Sequence, residues 1–248
     1  MKNLWHSISN KVFCGSVNSR INDLVDHLPY EQLDYDVTKF VVFNQIPGDY
    51  LEFGVYEGRG LVRMYKRMLY HWKSYARHAG IYGHEWDPSY WDKMRFIAFD
   101  SFEGLPEAHE SVDPKHFSKQ GIYQMPLCRF QETLRKEKLD LSKVLTVPGW
   151  FKESLTDETK KKWNIEKACA IFIDCDLYES GVPVFRFITD LIQDGTVLII
   201  DDFFRYGGHP QRGLQRAYGQ WLEQNPQIST SELTRQGANR LAFVCHKD

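Results

Sequence analysis

Gly48-Asp49-Tyr50-Leu51-Glu52-Phe53-Gly54-Val55-Tyr56-Glu57-Gly58-Arg59-Gly60 is an extended apolar run that closes on three closely spaced glycines. Tyr50, Leu51, Phe53 and Val55 suit a buried strand, and Gly54, Gly58 and Gly60 permit a sharp turn and close backbone approach to a ligand. The predicted unit is a strand feeding a nucleotide-cradling loop, with an ordinary glycine-rich turn as the alternative. The G-x3-G-x-G spacing departs from the G-x-G-x-x-G of nicotinamide dinucleotide folds and lacks the Lys-Ser/Thr ending of a P-loop. Glu52, two residues before the first glycine, would repel a polyphosphate. It suits a cationic ligand better, such as the sulfonium of S-adenosylmethionine.

Beyond the loop, Leu61, Met64, Tyr65, Met68, Leu69 and Trp72 recur at helical spacing, so the turn opens directly into a helix. Short apolar runs follow at 96–99, 144–147, 170–173 and 196–200, and their near-continuous apolarity predicts parallel strands buried on both faces. Helical stretches at 130–138, 182–192 and 211–223 alternate with them. Residues 241–245 read as a closing strand, antiparallel with the 227–233 region. The expected fold is α/β: a Rossmann-like, doubly wound, mostly parallel seven-stranded sheet with an antiparallel C-terminal strand. The predicted catalytic domain spans 46–248. Residues 1–45, with helices near 20–28 and 35–43, form a helical extension serving as a lid or as a homo-oligomer contact. Residues 70–93, dense in aromatics and histidine, read as a packed surface insertion that lines the substrate pocket, with irregular histidine spacing that argues against a metal site.

The 248 residues are 42% hydrophobic and 26% charged, enough to bury one large core. A net charge of -2 gives no global basic field for nucleic acid. Cys14, Cys128, Cys169, Cys175 and Cys245 are odd in number and scattered, which points to neither a zinc site nor a disulfide framework. No apolar run approaches the roughly eighteen residues of a membrane span, and Met1-Lys2-Asn3-Leu4-Trp5-His6 lacks the apolar core of a signal peptide. A soluble, cytoplasmic protein without membrane or nucleic-acid partners is expected.

Ligands of open α/β sheets bind beyond the carboxyl ends of the strands, and acids stand there in this chain. Residues 96–99 run into Asp100-Ser101-Phe102-Glu103-Gly104-Leu105-Pro106, where Asp100 suits ribose hydroxyls. Residues 171–173 run into Asp174-Cys175-Asp176-Leu177-Tyr178-Glu179-Ser180, and 196–200 into Asp201-Asp202. If those strands are neighbours, the carboxylates of Asp174, Asp201 and Asp202 converge. Like charges buried together need a cation, and an all-oxygen set favours Mg²⁺, Mn²⁺ or Ca²⁺. Asp176 and Asp202 read alternatively as caps of turns or helices.

The succession Glu52-Phe53-Gly54-Val55-Tyr56-Glu57-Gly58, Asp100 to Pro106, Gly149-Trp150-Phe151, Asp174 to Ser180 and Ile200-Asp201-Asp202 resembles the macrocin O-methyltransferase (TylF-type) family. The resemblance implies a class I, S-adenosylmethionine-dependent and Mg²⁺-dependent enzyme that methylates a hydroxyl, typically of a natural-product sugar. It implies that Glu52, Gly54 and Tyr56 line the methionine side of the cofactor, with Phe53, Gly58 and Gly60 completing the loop. It further implies that Asp100 and Ser101 hold the ribose, that Trp150 lies near the adenine, and that Asp174, Asp201 and Asp202 ligate the metal. Asp174 also matches the proposed general base, and His209 is the second candidate. The length of 60–100 and the segment 204–210 depart from the family pattern, which leaves the small-molecule or saccharide acceptor unnamed. A metal-dependent phosphate-ester hydrolase and a non-catalytic nucleotide-binding protein on the same fold are the rival readings.

Overall fold

The computed structural model describes residues 32–78, 86–109, 111–113, 119–237 and 239–247. Its frame is one seven-stranded sheet in the order β3-β2-β1-β4-β5-β7-β6. The strands are β1 (Asp49–Phe53), β2 (Phe96–Asp100), β3 (Val144–Pro148), β4 (Ala168–Ile173), β5 (Val197–Ile200), β6 (Ile228–Gln236) and β7 (Arg240–Lys247). The first five run parallel, β7 is antiparallel to β5, and β6 pairs antiparallel with β7. Helices α1 (32–43), α2 (Arg59–His78), α3 (Tyr90–Lys93), α4 (Leu127–Lys136), α5 (Phe151–Ser154), α6 (Asp157–Trp163), α7 (Tyr178–Ile188) and α8 (Gly213–Gln224) accompany it. The doubly wound α/β fold expected from the alternation is the one observed.

The central strands are apolar throughout because each face meets a separate core. Leu51, Phe53, Ile171, Ile173, Leu198 and Ile200 pack with α7 and α8. Tyr50, Ala170, Phe172, Val197 and Ile199 face the opposite way, toward α1 and α2. Each such side chain withdrawn from water contributes about 1.5–3 kcal/mol, which offsets the ordering of these strands.

Three expectations change. Residues 70–78 are the last two turns of α2, with Tyr75 against Phe43 and Trp86, and Trp72 near Trp91. Burial, with Lys39 and Arg67 adding, drives the His71 pKa down to about 4. The later residues Asp87, Tyr90, Lys93 and Met94 border a cavity at the amino ends of β1, β2 and β4, so the described aromatic segment lies at the far end of the sheet from the acids. Residues 79–85 fall outside the described residues.

Helix α7 starts at Tyr178, ahead of the predicted 182, because a distant carboxylate caps it: Tyr178 N donates to both oxygens of Asp113 at 3.0 Å. Pro183 then sits inside the helix and forgoes one ladder bond. Helix α1 buries Leu33, Val37, Val41 and Val42 in the same core as Tyr50 and Val62, so this part of the N-terminal extension is a layer of the domain. Residues 1–31, including the predicted 20–28 helix and Cys14, lie outside the described residues. Cys128, Cys169, Cys175 and Cys245 are free thiols. No described helix is long and apolar enough to cross a membrane.

Candidate active site

Strand order reverses between β1 and β4, and the crevice beyond their carboxyl ends is a cavity of about 510 Å³. Gly54, Tyr56, Asp100, Ser101 and Trp150 line one part of it, and Asp174, Asp176, Asp201, Asp202 and Arg205 another. The turn after β1 passes so close to the end of β4 that a β-carbon at Gly54 (φ +87°) would sit 1.9 Å from the Asp174 carbonyl oxygen. Only glycine permits that approach.

Asp100 organises the loop from the neighbouring strand. Its Oδ2 accepts from Val55 N at 2.8 Å and Tyr56 N at 3.2 Å, and its Oδ1 accepts from Phe102 N at 2.7 Å. Ser101 closes the following turn, accepting from Glu103 N at 3.1 Å and donating to Gly104 O at 3.2 Å. Tyr56 is 44% exposed and meets Tyr123, 50% exposed, edge to face at 5.9 Å, so two rings flank the mouth of the cavity.

The other loop residues sit away from the cavity lining. Phe53 is a core residue, stacked on Phe99 at 4.6 Å and edge-on to Phe151 at 5.9 Å. Gly58 (φ +82°) makes room for the Phe130 ring, 2.8 Å from a β-carbon placed there. Gly60, in the first turn of α2, makes room for Glu52, whose Oε1 is 2.6 Å from such a carbon. Glu52 is buried beneath that turn and accepts from the Tyr50 hydroxyl at 2.5 Å. Burial raises its pKa to about 7, against the opposing pull of the Tyr50 hydroxyl and Arg63. Two of the three glycines therefore serve packing, and Glu52 supports the loop from below.

The strand-end acids do come together on one cavity. Burial and the neighbouring charges of Asp201 and Asp176 push the Asp174 carboxyl well above the usual range. Asp176 rises to about 7, chiefly from burial, with Asp202 adding and Arg205 opposing. Asp176 (φ +62°) and Asp202 (φ +50°) both hold left-handed backbone, an uncommon conformation outside glycine that concentrates at functional positions. Arg240 on β7 donates from Nη2 to Asp201 Oδ2, and Arg205 donates from Nη1 to Asp176 Oδ1 at 2.7 Å and to Asp202 Oδ2. The sequence reading missed Asp176 as chemistry because its spacing suits a cap. Arg205 is three residues from Asp202 but 29 from Asp176, and Arg240 is 39 from Asp201, so the two longer pairings lie beyond any local pattern.

As they lie, no three such side chains among the described residues surround a single point in a way that would hold a metal. The donor chemistry nevertheless fits a hard divalent cation: Asp174, Asp201 and Asp202 offer only oxygen donors on adjacent strand ends, and burial with the neighbouring acids raises the Asp174 pKa, a shift that positive charge would oppose. His209 is exposed, accepts from Gln211 N through Nδ1 at 3.1 Å, and lies outside the cavity lining.

Residues 87–218 match the macrocin-O-methyltransferase (TylF) family. Demethyldecarbamoylnovobiocin O-methyltransferase of Streptomyces niveus is 24% identical over 168 residues, 66% of this chain and 55% of that protein, so the chain spans about half the length of this curated relative. Among solved structures, the O-methyltransferase NovP superposes with a TM-score of 0.64 at 19% identity, covering 89% of this chain and 80% of its own. The calicheamicin methyltransferase CalS11 gives 0.58 at 16% identity, covering 96% and 90%. At those identities the structures establish the shared fold. The matched stretch exceeds half of the sequence and contains Asp100, Trp150 and every strand-end acid of the cavity, and the chain belongs to the macrocin-O-methyltransferase (TylF) family.

Proposed function

We propose that this protein transfers the methyl group of S-adenosylmethionine to a hydroxyl of a small natural-product or saccharide acceptor. The observation that carries the reading is one cavity where the Asp100-braced loop after β1 faces Asp176, a carboxyl with a pKa of about 7. The family membership and the relatives' names support it. S-adenosylmethionine supplies a methyl group on a sulfonium, already activated toward an oxygen nucleophile. The chain's tasks are to align two substrates and to remove a proton.

Gly54 and Tyr56 border the methionine end, Asp100 and Ser101 the ribose, and Trp150 offers an indole face for adenine. Glu52 acts indirectly by holding the start of α2. Tyr56 and Tyr123 present flat apolar faces at the mouth that suit the carbon face of a sugar ring. Asp176 is the better base: near neutrality it exists in both forms, whereas deeper burial and the neighbouring acids push the Asp174 carboxyl well above its usual range. His209, outside the lining, takes no part.

Asp174, Asp201 and Asp202 would hold a divalent cation, most simply Mg²⁺, which lowers the pKa of an acceptor hydroxyl when bound. Eight acidic side chains line the cavity, Asp100, Glu107, Glu153, Asp174, Asp176, Glu179, Asp201 and Asp202, and this excess over the lining cations Lys152 and Arg205 among the described residues disfavours a phosphate ester beside the acids and weighs against the hydrolase alternative. The scattered free cysteines support a reducing, cytoplasmic setting. The test is transfer of a labelled methyl group from S-adenosylmethionine across a panel of glycosides, nucleotide sugars and catechols. Labelled ether product that disappears with Asp176→Asn supports the reading. Absence of transfer to any hydroxyl, together with phosphate release from esters, would replace it.

A further inference from the structure

The two arginines on the strand-end acids are held in different ways. Arg240 is buried, its side chain 7% exposed and its guanidinium stacked over the Phe172 ring at 4.8 Å. Strand β7, paired on both sides, fixes its backbone. Arg205 lines the open cavity with its side chain 20% exposed, and it rises from the turns over 201–208. Gly207 and Gly208, both at φ +68°, follow it, and no heavy atom lies within 4 Å of the position a β-carbon would take on Gly207. Arg240 is held within the sheet, whereas Arg205 stands on a turn at the open cavity.

Arg205 also occupies the decisive position. Its Nη1 bridges Asp176 Oδ1 and Asp202 Oδ2, one carboxylate from each of two strand ends. A guanidinium brings one positive charge to a cluster of four acids that also includes Asp174 and Asp201, whereas a divalent ion brings two in a smaller volume. Arg205 holds Asp202 Oδ2, so a cation that takes this oxygen must displace the guanidinium from it.

We propose that Arg205 is the resident counter-ion of this cluster, and that a divalent cation binds by displacing it from Asp202. Arg240 stays in place and keeps Asp201 oriented. Arg205 thereby sets the cation affinity of the site and prevents the acids from repelling one another while it is empty. The proposal rests on the cation reading of Asp174, Asp201 and Asp202 given above.

The test uses the full chain without S-adenosylmethionine or acceptor. Mn²⁺ binding is followed by loss of the free-ion electron paramagnetic resonance signal, and isotope-labelled arginine reports the side-chain Nε resonances by NMR as Mg²⁺ is added. The Nε signal absent from Arg205→Met belongs to Arg205. It is expected to shift toward the position of a solvent-exposed arginine on saturation with Mg²⁺, and Arg205→Met is expected to bind Mn²⁺ at least about tenfold more tightly, since both a competitor and a like charge are gone. Arg205→Gln serves as the second variant if the methionine form does not fold. Mn²⁺ binding to the wild type with an unmoved Arg205 signal, or affinity unchanged or weakened in the variants, overturns the displacement. Failure of wild type and variants alike to bind Mn²⁺ removes the cation reading itself, and the displacement with it.

Discussion

The two ends of the parallel sheet carry cavities of similar size, about 480 Å³ at the amino ends of the strands and about 510 Å³ at the carboxyl ends, yet their charge differs. The first is balanced among the described residues: Asp49, Asp87 and Glu166 against Lys93, Arg95 and Lys167. Its buried acid is paired, because Arg95 binds both oxygens of Asp49 at 2.9 and 2.6 Å and also donates to the carbonyls of Trp163 and Asn164. At the other end, among the described residues, eight acidic side chains line the cavity with Lys152 and Arg205, Arg240 reaches Asp201 from β7, and two of the acids sit on left-handed backbone. Volume does not separate a structural crevice from a reactive one. Unbalanced charge and stored backbone strain do.

Asp176→Asn should have the largest effect, at the acid-rich end: a general base contributes about 10²–10⁴ in rate, so transfer should fall by that range while melting temperature holds or rises. Because the raised pKa keeps Asp176 protonated below about 7, wild-type kcat/KM should climb as pH rises through that value, and the limb should vanish in the variant. A pH-independent wild-type rate would move the base elsewhere.

At the balanced end the expected change is in stability. Arg95→Met leaves Asp49 buried without its partner, which costs about 3–5 kcal/mol in denaturant unfolding. Cofactor affinity of the folded fraction should be unchanged. If affinity fell with stability, the two ends would be coupled, contrary to the division drawn above.

A smaller change is expected at Glu52, between the two ends. A carboxyl raised from 4.5 to about 7 binds its proton more tightly folded than unfolded, so its contribution is fully present below about 4.5 and is lost as pH rises through about 7. Stability of the wild type relative to Glu52→Gln should therefore decline over that window by about 3.5 kcal/mol, as each pKa unit is worth about 1.4 kcal/mol. Parallel pH curves for the two proteins would show Glu52 ionised in the fold.

The strands were legible because burial on both faces leaves a continuous apolar run, and the strand-end acids were legible because each run stops abruptly in a carboxylate. What escaped depends on contacts far along the chain. Gly58 reads as a ligand contact until Phe130 is seen against it, and Gly60 until Glu52 is. The start of α7 depends on Asp113, and the charge state of Asp176 on Arg205 and Asp202. The aromatic segment misled for a related reason: its rings cover α1, α3 and the outer face of α2, a packing role that composition alone does not distinguish from a pocket wall.

The most direct measurement is calorimetric titration of S-adenosylhomocysteine into the wild type, Asp100→Ala and Arg95→Met. One site of micromolar or tighter affinity is expected in the wild type and in Arg95→Met. Asp100→Ala, which strips Val55, Tyr56 and Phe102 of their acceptor and removes the acid proposed to hold the ribose, should bind at least about tenfold more weakly, since each charge-assisted bond lost is worth about 1.5–3 kcal/mol. No binding to the wild type, or equal affinity in all three proteins, would contradict a cofactor site at the carboxyl ends of β1 and β2.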